Sequence, residues 1–294
     1  MENKSITKEV NIALIKGESE IQIPCGEYEV KRAFISIRQN NVTIQGNGAT
    51  LKGRGNLIDI TNANKVEIVG LNLFSCTEKD FAIRINGAKE VVFTSCTFSC
   101  NAGCVVISDS VVTFNQCNFS GEKGNGICVL NASDVKINDS NFALSYGESI
   151  TVADNRDGMV SIHNCSFKRC YQAIKSSGKN TLKITNNYFL TYNSALCFIP
   201  SIASKTAEGI YKAEMHYNLF DDCCVGGGLA TIEIFGDKTE YNHKEITITE
   251  NIFSQKERPV INATGVNYLI FKENNVRTDG ESTVENSIIN GIKA

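Results

Sequence analysis

Three carboxylates and four companion side chains in this 294-residue chain have the types that sugar chemistry uses. Hydrolysis of a glycosidic bond takes two carboxyls, roughly 5 Å apart for retention or roughly 6.5–9.5 Å for inversion. Glu233 and Asp237 are the candidates for the acidic centre, with Glu208 as the acid supplied from a loop. Lys175, Tyr171, Tyr211 and His243 are the candidates for holding a substrate. Each has a plainer role as well, because a lone Glu or Lys on a strand is ordinarily solvated surface. Other chemistries fit less well. His216 and His243 have no histidine partner at ligand spacing, and three residues separate Cys96 from Cys100 and Cys100 from Cys104. That is not the Cys-x2-Cys of a zinc site, so no metal and no cofactor is expected. The glycines at 226–228 lack the strand–helix context and the Lys of a phosphate loop, and read as a bend.

These residues are far apart in the chain, so a periodic scaffold must gather them. One pattern recurs ten times: apolar-x-apolar, two polar residues, then Asn, Cys or Ser before x-Phe. Examples are VVFTSCTF (91–98), VTFNQCNF (112–119), VSIHNCSF (160–167) and ITITENIF (246–253). The sixth residues are Asn47, Leu71, Cys96, Cys117, Ser140, Cys165, Asn187, Asn218, Asn251 and Asn274, with successive intervals of 24, 25, 21, 23, 25, 22, 31, 33 and 23. Such a period signals a solenoid. A second short strand precedes each copy, as in AIRI, ICVL and TIEI, and almost no stretch has helical apolar spacing. The expected fold is all-β: a right-handed parallel β-helix of about ten rungs stacked about 4.8 Å apart. Cysteine then shares one inward column with Asn as a small buried side chain, and the phenylalanines stack in a neighbouring column. All twelve cysteines are expected to be free thiols.

Two intervals exceed the rest, and their extra residues are assigned to 200–212 and 236–245. Both segments follow the same strand of neighbouring rungs, so the two loops should rise side by side; one-sided insertions build binding faces on solenoids. Aligning that strand gives an outward column of Asp59, Arg84, Val106, Cys128, Thr151, Lys175, Cys197, Glu233 and Asn262. Lys175 and Glu233 stand two rungs apart on it, about 9.6 Å. Asp154, Arg156, Asp157, Tyr171, Glu208, Tyr211, Asp237, Glu240 and His243 fall near them.

Net charge is −3, which gives no basic field for nucleic acid. No apolar run is long enough for a membrane span. The opening residues have no apolar core of a signal peptide, so the expectation is a cytoplasmic chain, or a secreted one if it is a processed form. A single domain over 1–294 is expected, with residues 1–30 as N-terminal cap and first rung and 277–294 as C-terminal cap.

The opening IQIPCGEYEV resembles the I-x-x-P-x-G-x-Y start common in pectin-lyase-like β-helices. From about Thr181 the chain resembles the bacterial α-1,3-galactosidase family of β-helical glycoside hydrolases, through LKITNNYFLTYNSAL, MHYNLFDDCCVGGGLATIEIFGD and HKEITITENIFSQKERPVINATGVNYLIFKENNV. That resemblance implies an inverting exo-galactosidase without a metal, with carboxylates at the ends of consecutive strands of the outward column. The chain departs from the family at IPSIAS (199–204), where the acidic pair would stand, and at Lys175 on the preceding rung; only the rung of Glu233 and Asp237 keeps acids. The calcium-binding acidic clusters of pectate lyases and the Asn-Thr-Asp motif of polygalacturonases are missing. The expected function is therefore glycosidase-like work on an oligo- or polysaccharide, galactoside hydrolysis above all, by a monomer. The alternatives are a non-catalytic β-helix that binds a glycan or a protein, as a spike or adhesin module does, and a polysaccharide lyase.

Overall fold

A computed structural model describes residues 5–31, 33–76, 80–121, 123–144, 146–201, 208–237, 240–285, 287–289 and 292–293. The chain winds through three long sheets of 13, 11 and 11 strands, in which neighbours are one rung apart in sequence. We call them sheets A, B and C. One rung shows the unit: Lys89–Thr94 in sheet A, Thr97–Cys100 in B, Gly103–Ser108 in C, then Val111–Asn115 back in A. Pairing is parallel throughout, except between Ile288–Ile289 and Ile292–Lys293 at the C-terminal end of sheet A. The fold is the expected parallel β-helix, of about eleven turns.

The repeats match in space as they do in sequence. Val66, Val91, Val112, Val135 and Val160 are successive partners in sheet A, all inward. Phe98, Phe119, Phe142, Phe167, Phe189, Phe220 and Phe253 form one buried column, with successive centroids 4.6, 4.6, 4.7, 4.9, 4.8 and 4.7 Å apart. Rung spacing dictates face-to-face stacking here. The rings accept it because burying each one outweighs the preference for offset or edge contact.

The column of sixth residues explains why Cys can stand where other rungs have Asn. Asn187, Asn218 and Asn251 each accept the backbone N–H of the previous rung's column residue or donate to the next, and each donates to a sheet A carbonyl one rung back: Ile162, Ile184 and Met215. Cys96, Cys117 and Cys165 send their S–H to the equivalent carbonyls of Ile68, Phe93 and Ile137, at 3.4, 3.6 and 3.5 Å. Cysteine is a small apolar filler that keeps a weak form of the same bond. All twelve cysteines are free. The residue before this column takes the left-handed conformation rung after rung, from Ser95 (φ 53°) and Gln116 (54°) to Glu250 (57°) and Glu273 (60°). A second ladder, unforeseen in the repeat, runs along the turn from sheet C to A. There the amides of Ala88, Ser110, Ser133 and Asn155 are capped by Ser110, Ser133, Asn155 and Asn180.

The N-terminal end is closed by a helix, Ile6–Ile15, where no helix was expected. Ile6, Val10 and Leu14 are spaced four apart and bury against the first rung. Asn11 accepts from Ser36 N–H and donates to Phe34 O, which satisfies the edge of sheet C that would otherwise stay open. At the other end, 286, 290, 291 and 294 of the expected C-terminal cap lie outside the described residues. No helix is long and apolar enough to cross a membrane among the described residues.

Candidate functional site: the outer face of sheet C

Sheet C carries the outward column in the expected register. Asp59, Arg84, Val106, Cys128, Thr151, Lys175, Cys197, Glu233 and Asn262 are successive partners. The described ends of the two loops behind it do run together: Gly209 N–H donates to Asn242 O, and Lys244 N–H donates to Ile210 O. Residues 202–207 and 238–239 of those loops lie outside the described residues. Not all the extra length is there, however. Part of the longest interval belongs to Asp222–Thr231, between Leu219–Asp221 of sheet B and Ile232–Ile234 of sheet C. This segment crosses the opposite end of the face and contains the three glycines that were read as a simple bend.

The middle of the face holds a groove of about 390 Å³. Thr151 and Lys175 form its floor, Glu148 stands on one side, and Asp154 and Ser201 on the other. Lys175 Nζ pairs with Glu148 Oε1 at 3.1 Å across one rung. Asp154 Oδ2 accepts from Ser201 Oγ at 2.9 Å. Its Oδ1 is enclosed without a hydrogen-bond partner, and so is Thr151 Oγ1. Asp154 occupies a left-handed turn (φ 47°), and Gly178 packs against it so closely that a Cβ there would lie 2.0 Å from Oδ1.

The structure separates the seven candidate residues. Lys175 lines the groove, half-exposed. Tyr171 stands where sheet B turns into sheet C, 36 % exposed, with its ring 6.3 Å from that of Tyr192 on the next rung. Glu208, Tyr211 and Asp237 lie at the opposite edge. Glu208 faces Arg156 at 3.6 Å, a half-exposed pair of little energetic weight. Tyr211 carries Lys244 Nζ 4.3 Å from its ring centroid. Asp237 is exposed, and its N–H donates to Asn242 Oδ1.

Two residues differ from expectation for a physical reason. Glu233 points outward from the sheet but is only 6 % exposed, because the glycine segment lies over it; Oε1 accepts Leu229 N–H at 2.5 Å and Ala230 N–H at 3.3 Å. His243, expected against substrate, is wholly buried. Its Nδ1 accepts from Ile210 N–H at 3.1 Å, which puts the proton on Nε2, facing Phe235 O at 3.0 Å. Burial pushes its pKa down to about 4. His243 thus caps the amide of the previous rung as Asn180 and Ser110 do elsewhere.

Glu148 was missed in the sequence because it lies before the column proper; its signal was an acid at the start of the strand one rung below Lys175. Cys197, between Lys175 and Glu233, has its thiol pushed up to about 11 by burial and then by Glu233, while Lys175 pulls the other way. Among the described residues no group of three His, Cys, Asp or Glu side chains is placed to hold a metal ion.

The three parallel sheets define a right-handed parallel β-helix. Among solved structures it is similar to the A-module of mannuronan C-5 epimerase AlgE6 from Azotobacter vinelandii (12 % identity, 98 % of this chain and 94 % of that one, TM-score 0.56). It is also similar to DFA-IIIase from Arthrobacter chlorophenolicus A6 in complex with DFA-III (13 %, 95 % and 81 %, TM-score 0.64). A third is the surface protein and adhesin PfbA of Streptococcus pneumoniae (14 %, 98 % and 93 %, TM-score 0.64). Residues 13–207 match the sequence family described as adenovirus EB1 55K protein / large t-antigen, and the chain belongs to that family. The match covers mainly the rungs before Thr181, whereas the galactosidase resemblance rests on those after it. No curated protein matches the chain in sequence.

Proposed function

We propose that the chain is a glycan-binding β-helix whose ligand lies along the outer face of sheet C, over the rungs of Thr151 and Lys175. One observation carries this reading: Thr151 Oγ1 and Asp154 Oδ1 are both enclosed and unpartnered, and both belong to residues lining one groove. An unsatisfied buried polar group costs about 1–3 kcal/mol, and once the Thr151 and Asp154 side chains turn toward the groove a sugar's hydroxyls offer both donors and acceptors to relieve it. The volume lies within the roughly 300–1,000 Å³ of small-ligand sites. The Lys175–Glu148 pair adds a charged donor and acceptor at the rim, and Tyr171 an aromatic face at the edge. The neighbouring structures that act on mannuronan or hold DFA-III agree with this class of ligand.

Galactoside hydrolysis is the narrower form of the reading, with Glu233, Asp237 and Glu208 as its carboxylates. It requires Glu233 to leave the backbone donors that now hold it. A second reading, a protein partner, is favoured by an exposed row along the turn from sheet B to C: Tyr146, Tyr192, Val225 and Leu229 are 66, 54, 57 and 60 % exposed. Calorimetric titration with galactose- and mannuronate-containing oligosaccharides, alongside a turnover assay on aryl galactosides, separates these. Binding that disappears in Asp154→Ala supports the groove. Binding unchanged by that substitution, or no binding at all, removes it in favour of the protein partner.

A further inference from the structure

Glu233 is the odd member of its column. Its position on sheet C matches that of Lys175 two rungs below, yet it is closed off from solvent. The strap Cys224–Ala230 lies against its carboxylate through the Leu229 and Ala230 amides and Gly228, and three features make that strap easy to lift. It has three successive glycines, whose backbone gains more freedom on release than any other residue's. Its larger apolar side chains, Val225 and Leu229, face solvent, so only the small Cys224 and Ala230 at its two ends anchor it in the core. Beyond Cys224, whose N–H donates to Thr191 O at 3.1 Å and Asn193 O at 3.2 Å, its ties are few: Gly226 N–H to Tyr192 O at 2.9 Å and the two amides on Glu233. The bond from Cys224 Sγ–H to Gly227 O at 2.7 Å is internal to the strap.

The closed strap also leaves a polar atom unserved. Asn193 Oδ1 is enclosed without a hydrogen-bond partner and faces Gly228, where a Cβ would sit 2.4 Å from it and 2.9 Å from Glu233 Oε1. An unpaired amide oxygen and a carboxylate held by two backbone N–H groups meet at one point under a glycine cover. We infer that the strap is displaced by ligand, and that Glu233 and Asn193 beneath it form a second subsite for a hydroxylated sugar ring, continuous with the groove at Lys175. Two adjacent hydroxyls replace the N–H pair of Leu229 and Ala230 on the carboxylate, and a third donates to Asn193 Oδ1. The inference rests on the groove being a glycan site.

Cys224 and its neighbour Cys223 supply the test. Both are buried, but Cys224 is tied to the strap while Cys223 Sγ bonds Phe189 O in the core. Alkylation by iodoacetamide, read for each cysteine by mass spectrometry, therefore reports strap opening at Cys224 and loss of the core at Cys223. With a saturating galactose- or mannuronate-containing oligosaccharide whose binding is confirmed by calorimetry, Cys224 should label at least about tenfold faster while Cys223 stays protected. Glu233→Ala should raise Cys224 labelling without sugar. If that variant does not fold, Gly228→Ala, whose Cβ meets Asn193 Oδ1, opens the same strap. Sugar that binds without changing Cys224 overturns this inference and leaves the groove standing. Labelling that rises at both cysteines together overturns it too. Absence of sugar binding overturns both.

Discussion

Two stretches of one sheet face have the same backbone and opposite surfaces. Over Thr151 and Lys175 the outer face of sheet C is open, and its polar atoms are partly unpaired. Two rungs further, over Cys197 and Glu233, it is roofed by a glycine strap, two of whose amides hold one oxygen of the carboxylate. In a β-helix the register fixes which residues share a column, but the corner segments decide which of them meet solvent. Position on a strand and access to a ligand are thus separate properties, and Glu233 shows the gap between them.

His243 gives the largest expected effect and belongs to the closed side. Its folded pKa of about 4 lies below its ordinary 6.5 because burial disfavours the imidazolium. The neutral form is the one the fold accepts, so its contribution is complete above about pH 6.5. It is lost as pH falls from there through about 4, by roughly 3 kcal/mol in all. Melting temperatures between pH 7 and 4 should fall more steeply for the wild type than for His243→Asn, which keeps an acceptor for Ile210 N–H. Equal slopes would remove the strut role.

Next comes a paired test of open against closed. Glu233→Ala strands two strap amides and should cost about 1–3 kcal/mol in chemical denaturation. Lys175→Met, on the open groove, should stay within about 0.5 kcal/mol, because its half-exposed pair with Glu148 is screened by water. The reverse order would mean that the strap does not close over Glu233 in solution. Gly178→Ala probes the seam between the two stretches. Its φ of +83° and the 2.0 Å approach to Asp154 Oδ1 predict about 1 kcal/mol or more of destabilisation. It should also weaken glycan binding at least about fivefold by pushing Asp154 out of place. Only a small effect is expected at the corners. Gln116→Gly removes a strained left-handed side chain (φ 54°) and should change stability by less than about 1 kcal/mol, upward if strain outweighs the added chain entropy.

The rung repeat, the phenylalanine column, the Cys/Asn column and the outward column on sheet C were legible in the sequence. Each is a short-range pattern copied at a fixed interval, and register turns intervals into contacts. The helix Ile6–Ile15 was legible in principle, since Ile6, Val10 and Leu14 recur every fourth residue, but it occurs once and breaks the strand pattern around it. The strap at Cys224–Ala230 was not legible. An interval of 33 residues tells that a rung is long without telling which corner holds the excess, and three glycines look the same in a bend and in a cover. His243 was misplaced for a related reason: as an amide cap it does the work of Asn or Ser, and its own chemistry goes unused. Glu148 was missed because an ion pair between long side chains on adjacent rungs is offset from the register.

The central claim is that the open stretch binds a glycan through Asp154 and Thr151. A crystal structure of the protein with the tightest-binding oligosaccharide tests it most directly. The account predicts a sugar ring over Thr151 and Lys175, with hydroxyls within about 3.2 Å of Asp154 Oδ1 and Thr151 Oγ1. A sugar seated elsewhere, such as on the outer face of sheet A, with both atoms still unpartnered, would contradict it.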